Sequence, residues 1–192
     1  SIVGYLVGTL TGGAPPSISG LLVIWMMVGL GAVGFIDDYL KVRQQRSLGL
    51  SGWRKVVGQV LVAVPFGIVA LNFPNRVAQT PASPYISFFR DIPMLSFLAL
   101  GAIIGSIAYL VWISFLSVAW SNATNLTDGL DGLATGAGIF TISAYSLVTF
   151  WQFQQRCTSE ALVAAYQAAC YDTRDPMDLT IIAASFVGAL VG

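Results

Sequence analysis

The chain has 192 residues, of which 56% are hydrophobic and only 9% are charged, and its formal net charge is zero. An ordinary soluble domain carries roughly 25% charged residues, so this composition excludes a soluble globular protein and indicates a membrane protein. The balanced charge does not indicate nucleic acid as a partner, and the lack of histidine excludes a histidine-based triad or metal site in these residues.

The apolar stretches predict an all-α, polytopic integral membrane protein. A helix needs roughly 20 apolar residues to cross the hydrocarbon core. Four stretches approach or exceed this length: residues 18–36, 56–73, 95–120 and 133–151. Residues 1–10 and 179–192 are equally apolar but too short to cross, so we expect partial helices there. Residues 1–192 are therefore expected to form a single transmembrane domain that is an internal piece of a longer helical bundle.

The second apolar stretch contains two residues that are unusual in a membrane helix. Gln59 carries a polar amide, and Pro65 removes one backbone N–H group from the helix. Both are tolerated in a membrane helix when neighbouring helices satisfy the polar groups.

The basic residues predict the orientation of the helices. Five of the nine Lys and Arg residues lie in one connection: Lys41, Arg43, Arg46, Arg54 and Lys55. Because cytoplasmic loops are enriched in Lys and Arg, we expect residues 37–55 to be cytoplasmic. Counting crossings from there places residues 121–132 on the same side. The predicted external loops are residues 11–17, 74–94 and 152–177.

An acidic pair, Asp37 and Asp38, follows the first predicted span directly and precedes the basic residues. Carboxylates are not favoured at a helix C-terminus, where the helix dipole is negative. A Mg²⁺ ion with phosphate oxygens would offset this, and phosphoryl transfer uses such an arrangement of anions, metal and cations. The alternative is that both residues are solvated and that the basic run only anchors the helix to anionic headgroups.

A second polar motif, "SNATNLTDGLDGLATG" at residues 121–136, follows the third span. On a helix its residues at intervals of three form one polar stripe: Asn122, Asn125, Asp128 and Asp131. The two Asp-Gly pairs also fit ordinary turns. A turn does not explain the two upstream amides, so the motif favours a ligand site on the cytoplasmic side.

The segment "GFIDDYLKVRQQRSLGLSGWRKVVGQ" at residues 34–59 and the motif at residues 121–136 resemble the signatures of the polyprenyl-phosphate N-acetylhexosamine-1-phosphate transferases. The first segment is similar, in particular, to the phospho-N-acetylmuramoyl-pentapeptide transferase branch. In motif order the resemblance covers roughly the middle half of a bundle of about ten membrane helices.

The resemblance implies transfer of phospho-N-acetylmuramoyl-pentapeptide from UDP to undecaprenyl phosphate, which releases UMP and forms lipid I for peptidoglycan. It implies the bacterial inner membrane with the site on its cytoplasmic face, membrane lipid around the helices, Mg²⁺ as cofactor and a homodimer. It implies catalytic roles for Asp37 and Asp38, with Asp38 also a metal ligand and a further ligand outside this chain. The substrate-binding residues it implies are Lys41, Asn122, Asn125, Asp128, Gly129, Leu130 and Asp131.

Other parts of the family pattern are absent from these residues: an N-terminal basic segment, a further catalytic aspartate and a His-rich loop. The chain on its own is therefore expected to be inactive. One alternative function is the sister transferase that moves N-acetylglucosamine phosphate to the same lipid. A second alternative is an ion-coupled secondary transporter, although its carboxylates would be expected near the bilayer midplane.

Two further patterns lead to structural expectations. Gly101 and Gly105 have the spacing that most often allows close packing of membrane helices. Cys157 and Cys170 lie in the predicted external loop, where an oxidising environment permits a disulfide.

Overall fold

The structure is a computed structural model that describes residues 1–12, 15–45, 49–75, 78–87, 91–127, 132–155 and 173–192. The helices in these residues are α1 (Ile2–Thr11), α2 (Ile18–Gln44), α3 (Gly52–Asn72), α4 (Ala102–Thr127), α5 (Leu133–Gln154) and α6 (Pro176–Val191). Two short antiparallel strands, β1 (Tyr85–Ser87) and β2 (Asp91–Ser96), precede a 3-10 helix at Phe97–Leu100. Helices α2 to α5 are long and apolar enough to cross a membrane. The predicted helical membrane class is confirmed.

The chain divides into two compact units, which are described separately. The first contains Ser1–Leu21 and Thr127–Gly192, and the second contains Leu22–Leu126. In the first unit α6 packs against both α1 and α5. The hydroxyl of Thr180 on α6 donates to the hydroxyl of Thr149 on α5 at 2.8 Å. This unit therefore combines apolar packing with hydroxyl hydrogen bonds between helices, as is common in membrane proteins.

In the second unit α3 packs against both α2 and α4. A Cβ atom on Gly58 would lie 3.1 Å from Val33 on α2, and one on Gly67 would lie 2.6 Å from Leu110 on α4. Because glycine has no side chain, these two positions let the Val33 and Leu110 side chains pack directly against the backbone of α3. The indole of Trp25 also donates to the carbonyl of Val62 at 3.0 Å. Helix α3 is thus the element through which α2 and α4 are connected.

Helix α4 begins later than predicted. The predicted span started at residue 95, but β2 continues to Ser96, whose hydroxyl accepts a hydrogen bond from the Leu98 N–H at 3.2 Å. Gly101 has φ of +89°, which a helix does not allow, so α4 starts only at Ala102. Gly101 therefore serves a backbone turn and not helix packing. Apolar composition is the same on both sides of this boundary and does not reveal it.

Helices α2 and α4 also end later than predicted, at Gln44 and Thr127. The motif residues that were expected in connections, such as Lys41 and Asn122, therefore lie on helical turns. Polar side chains there bond to their own helix: Asn122 Nδ2 donates to the Val118 carbonyl at 2.8 Å. The bounds of α1, α3, α5 and α6 differ from the predicted ones by at most four residues.

Candidate active site

The acidic pair lies on α2 beyond its apolar stretch, and its two members have opposite environments. Asp37 is only 4% exposed, whereas the side chain of Asp38 is 68% exposed. Neighbouring residues on a helix point about 100° apart, since a turn holds 3.6 residues. One carboxylate is therefore turned into the protein and the other remains accessible to a ligand.

The buried carboxylate of Asp37 is held by three donors. Lys41 Nζ lies 2.8 Å from Asp37 Oδ2, and Lys55 Nζ on α3 lies 3.5 Å from the same oxygen. The backbone N–H of Leu50 donates to Asp37 Oδ1 at 2.8 Å. A Cβ atom on Gly49 would collide with Asp37 Oδ1 and with Lys41, so the segment before α3 can approach the carboxylate only because residue 49 is glycine.

The charges of this cluster support one another. Burial alone would raise the pKa of the Asp37 carboxyl, because it disfavours the charged form. Hydrogen bonds from Lys41 and from the Leu50 N–H, with the charge of Lys55, outweigh burial and hold that pKa below its usual value. Hydrogen bonds to Asp37 and Asp38 in turn raise the pKa of Lys41. Carboxylate and ammonium are therefore both charged at neutral pH.

Lys41 connects the buried and the exposed carboxylate. Its ammonium group also donates to Asp38 Oδ1 at 3.0 Å, and its side chain is 34% exposed. An ammonium group has three N–H donors, and the two carboxylates use two of them. The third donor and the positive charge remain available for an anionic group next to Asp38.

The second motif meets the same region through α3. Gln59, which is fully buried, donates through Nε2 to the hydroxyl of Ser121 at 3.0 Å and accepts through Oε1 from Asn122 Nδ2 at 3.1 Å. Gln59 lies four residues after Lys55, which places both side chains on one face of α3. Helix α3 therefore contacts the acidic pair with one turn and Asn122 with the next.

The structure thus brings together four of the residues implied by the resemblance: Asp37, Asp38, Lys41 and, through Gln59, Asn122. Asn125 lies exposed one turn further along α4. The remaining implied residues, Asp128, Gly129, Leu130 and Asp131, lie outside the described residues, as do Cys157 and Cys170.

Three residues of this site were not singled out from the sequence: Gly49, Lys55 and Gln59. Lys55 was counted only as a basic loop residue, and Gln59 only as a tolerated polar residue in a span. The four-residue spacing of Lys55 and Gln59, polar positions on an otherwise apolar helix, was a signal that could have identified them. Gly49 had no such signal, because its role depends on contacts distant in sequence.

The site offers only a partial set of ligands for a divalent metal. In the part of the chain that the structure describes, no three acidic, His or Cys side chains come together. Asp37 is poorly suited as a ligand, because both of its oxygens already accept from N–H donors. Asp38 is accessible, and Mg²⁺ is often held by one or two carboxylates together with waters and phosphate oxygens. The residues fit Mg²⁺ if Asp38 is a ligand and a phosphate-bearing ligand supplies others.

Three relatives illustrate what the whole chain is similar to. It is 52% identical over 200 residues to the phospho-N-acetylmuramoyl-pentapeptide-transferase of Clavibacter michiganensis subsp. michiganensis. It is 47% identical over 193 residues to the protein of that name from Beutenbergia cavernae and 44% identical over 192 residues to that from Streptomyces griseus subsp. griseus. All three matches cover 100% of this chain and 53%, 52% and 51% of the respective relatives. The chain therefore spans about half the length of the curated relatives it matches.

The family comparison covers most of the chain. The profile described as glycosyl transferase family 4 matches residues 20–192, which include the acidic pair, all of α3 and the second motif. The residues that form the cluster around Asp37 and the contacts of Gln59 lie inside this match. The chain belongs to glycosyl transferase family 4.

Proposed function

We propose that this chain forms part of a phosphoglycosyl transferase that moves phospho-N-acetylmuramoyl-pentapeptide from UDP to undecaprenyl phosphate. The relatives named above carry the name of this activity, and the chain matches them over its full length. The products would be lipid I and UMP. The proposal places the protein in the bacterial inner membrane with this site on the cytoplasmic face, and it includes a homodimer.

The observation that carries the proposal is the contact of α3 with both motifs. Lys55 meets Asp37, and Gln59 one turn later meets Asn122, so a cluster of carboxylates and lysines lies beside an amide-bearing helix end. A transferase that joins a phosphorylated lipid to a nucleotide sugar needs two adjacent subsites of this kind. A secondary transporter would instead be expected to hold its carboxylates near the bilayer midplane.

The two carboxylates have different roles in this proposal. Asp38 is accessible, so it is the one that can contact the lipid phosphate and hold or accept its proton. Asp37 fixes the two lysines and does not itself meet substrate. Lys41 donates to a phosphate oxygen and so reduces the repulsion between the lipid phosphate and the nucleotide pyrophosphate, both of which are anionic.

The covalent step is a displacement at phosphorus. An oxygen of the lipid phosphate forms a bond to the phosphorus that bears the sugar, and the bond from that phosphorus to the bridging oxygen of UMP breaks. UMP leaves with the electron pair. When Mg²⁺ is bound, it neutralises charge on the phosphate oxygens, and Asp38 is the described residue that would hold it.

In this proposal the nucleotide-sugar subsite involves the second motif, whose first residues lie at the end of α4. Asn122 lies next to the acidic cluster through Gln59, and Asn125 is exposed on the following turn. We propose that both residues line the nucleotide-sugar subsite, together with Asp128, Gly129, Leu130 and Asp131. The chain on its own is expected to be inactive.

The proposal is tested with the full-length protein in detergent by measuring UMP release from UDP-N-acetylmuramoyl-pentapeptide, undecaprenyl phosphate and Mg²⁺. Asp38→Asn is expected to lower the rate by about a hundred- to ten-thousandfold, the range for loss of a general acid or base. Lys41→Met should also lower it strongly. Arg54→Met is the matched control, because Arg54 is an exposed cation beside Lys55 and should leave the rate nearly unchanged.

Two results would contradict the proposal. Wild-type rates in both Asp38→Asn and Lys41→Met would show that the acidic cluster has no part in transfer. A wild-type protein that ignores UDP-N-acetylmuramoyl-pentapeptide but accepts UDP-N-acetylglucosamine would show that it is the sister transferase.

A further inference from the structure

Gln59 is a fully buried polar side chain in an apolar membrane helix, and the proposed chemistry does not use it directly. Burial of an amide without partners is costly, so its hydrogen bonds decide whether the position is tolerated. Its partners are Ser121 and Asn122, both on α4. Gln59 therefore bonds to Asn122, one of the residues that we assign to binding of the nucleotide-sugar donor.

The orientation of the Asn122 amide follows from these contacts. The Val118 carbonyl, 2.8 Å from the Asn122 amide, can only accept a hydrogen bond, so the atom facing it must be the NH₂ group, Nδ2. The Gln59 atom 3.1 Å from the same nitrogen must then be the acceptor Oε1. Gln59 Nε2 consequently faces the Ser121 hydroxyl, which accepts from it at 3.0 Å. The contacts form a consistent chain from the α4 backbone to α3.

This chain uses both hydrogens of the Asn122 NH₂ group. One hydrogen goes to Val118 and the other to Gln59. The carbonyl oxygen, Oδ1, accepts no hydrogen bond from any residue that the structure describes, and the Asn122 side chain is only partly buried. Asn122 therefore presents an acceptor to a ligand. An acceptor attracts an N–H or O–H group and repels a phosphate oxygen.

We infer that Gln59 is a positioning residue that turns the carbonyl oxygen of Asn122 towards an N–H or O–H group of the nucleotide-sugar donor. This rests on the proposed function, because it assumes that Asn122 lines the donor subsite. The group recognised belongs to the nucleobase, ribose or sugar and not to the pyrophosphate.

The same helix also sets the distance between the two subsites. Lys55 and Gln59 lie one turn apart on α3, and Lys55 contacts Asp37 at 3.5 Å. Since a helical turn rises about 5.4 Å, Asn122 is held at a nearly constant separation from the acidic cluster. Loss of the Gln59 contact should therefore weaken binding of the nucleotide-sugar donor, while Lys41, which we assign to the lipid phosphate, stays in place.

The test measures equilibrium binding of UDP-N-acetylmuramoyl-pentapeptide to the full-length protein without lipid phosphate, together with the KM values for both substrates. Gln59→Leu removes both hydrogen bonds at similar volume. It is expected to weaken donor binding by about tenfold, as for the loss of one net hydrogen bond, and to change the KM for undecaprenyl phosphate by less than about twofold.

Two further variants distinguish a positioning role from a general effect on folding. Gln59→Glu keeps an acceptor for Asn122, and burial favours the protonated acid, which can donate to Ser121; its donor affinity is expected to stay within about threefold of wild type. Asn72→Leu is the matched control, because Asn72 is an exposed amide on α3 that donates to the Ile68 carbonyl of its own helix. It should leave both substrates unaffected.

A double variant tests whether Gln59 acts through Asn122. If it does, Gln59→Leu combined with Asn122→Leu should bind donor no more weakly than Asn122→Leu alone. Additive losses would overturn the inference. So would equal rises in the KM for donor and lipid, or wild-type donor affinity in Gln59→Leu.

The inference remains testable if Gln59→Leu does not fold or if the donor is a different one. Ser121→Ala removes only the acceptor of Gln59 Nε2 and is expected to weaken donor binding about threefold; unchanged affinity in Ser121→Ala would overturn the inference. If wild type binds UDP-N-acetylglucosamine instead, the proposed substrate is wrong, and the same variants measured with that donor still decide the role of Gln59.

Discussion

The carboxylates of Asp37 and Asp178 lie one in each unit, and they are held by different kinds of partner. Asp37 in the second unit is surrounded by Lys41, Lys55 and the Leu50 N–H. Asp178 in the first unit accepts from the Tyr5 hydroxyl at 2.8 Å, the Ser17 N–H at 3.2 Å and the Ser17 hydroxyl. Ammonium groups balance the charge of Asp37, whereas neutral hydrogen-bond donors hold Asp178.

Under the proposed function, the difference separates a ligand-binding cluster from a structural one. Ser17 directly precedes α2, and its hydroxyl accepts from the Gly20 N–H at 3.1 Å. Because Tyr5 lies on α1 and Asp178 in the first turn of α6, the contacts of Asp178 join α1, the start of α2 and the start of α6. The Asp37 cluster instead has an exposed carboxylate beside it and an ammonium group with a donor to spare. The proposed function therefore uses the Asp37 cluster, whereas the Asp178 contacts hold helices together.

The largest expected difference concerns removal of charge from the two carboxylates. Asp37→Asn leaves Lys55 and Lys41 without their buried partner and should lower the free energy of unfolding by about 3 kcal/mol, the lower end for a broken buried ion pair. Asp178→Asn weakens hydrogen bonds from neutral donors of Tyr5 and Ser17 and should cost about 1 kcal/mol. Denaturant or thermal unfolding of the full-length protein in detergent measures both values.

The exposed neighbour provides the control for this measurement. Asp38→Asn should cost less than about 1 kcal/mol, because exposed ion pairs contribute little. A cost for Asp37→Asn no larger than that for Asp38→Asn would remove the distinction between the two clusters.

The pH dependence of the same comparison follows from the lowered pKa of Asp37. Because the folded pKa lies below the unfolded value of about 3.9, the stabilisation is complete above that value and is lost as pH falls through the folded pKa. The stability advantage of wild type over Asp37→Asn should therefore shrink below about pH 3.9. An advantage that stays constant there would show that the carboxylate charge is not its source.

The next effect in size concerns Gly49. Gly49→Ala introduces a Cβ atom where the Asp37 carboxylate and Lys41 already lie, so it should cost about 2 kcal/mol and lower the transfer rate. Gly52→Ala is the matched control, since a Cβ atom there meets nothing within 4 Å. Equal stability and rates of the two variants would show that Gly49 is not needed for the close approach.

The smallest effect is expected from Tyr5 in the first unit. Tyr5→Phe removes the hydrogen bond to Asp178 and should lower stability by about 1 kcal/mol, with donor and lipid KM values unchanged. Tyr145→Phe is its control, because Tyr145 is 50% exposed and the change should be nearly neutral. A strong loss of substrate affinity in Tyr5→Phe would assign the Asp178 cluster to the reaction after all.

Much of this fold could be predicted because the membrane restricts the choices. Apolar runs long enough to cross predicted the four long helices that lie in the described residues. The exact ends of the helices were harder to predict from the sequence. The start of α4 depends on strand pairing of Tyr85 with Ser96 and on the backbone of Gly101, and neither changes the local hydropathy.

The helical membrane class, the acidic pair and the resemblance of two motifs could be recognised from the amino-acid sequence, because they depend on composition and on residues adjacent in the chain. The folded arrangement of the helices was needed to show that Asp37 is buried and Asp38 accessible, that residue 49 must be small and that Lys55 and Gln59 connect the motifs. These properties arise where α2, α3 and α4 meet, and the contacts join residues as far apart as Gln59 and Asn122. Hydropathy reports where a residue lies along a helix but not which neighbour it faces.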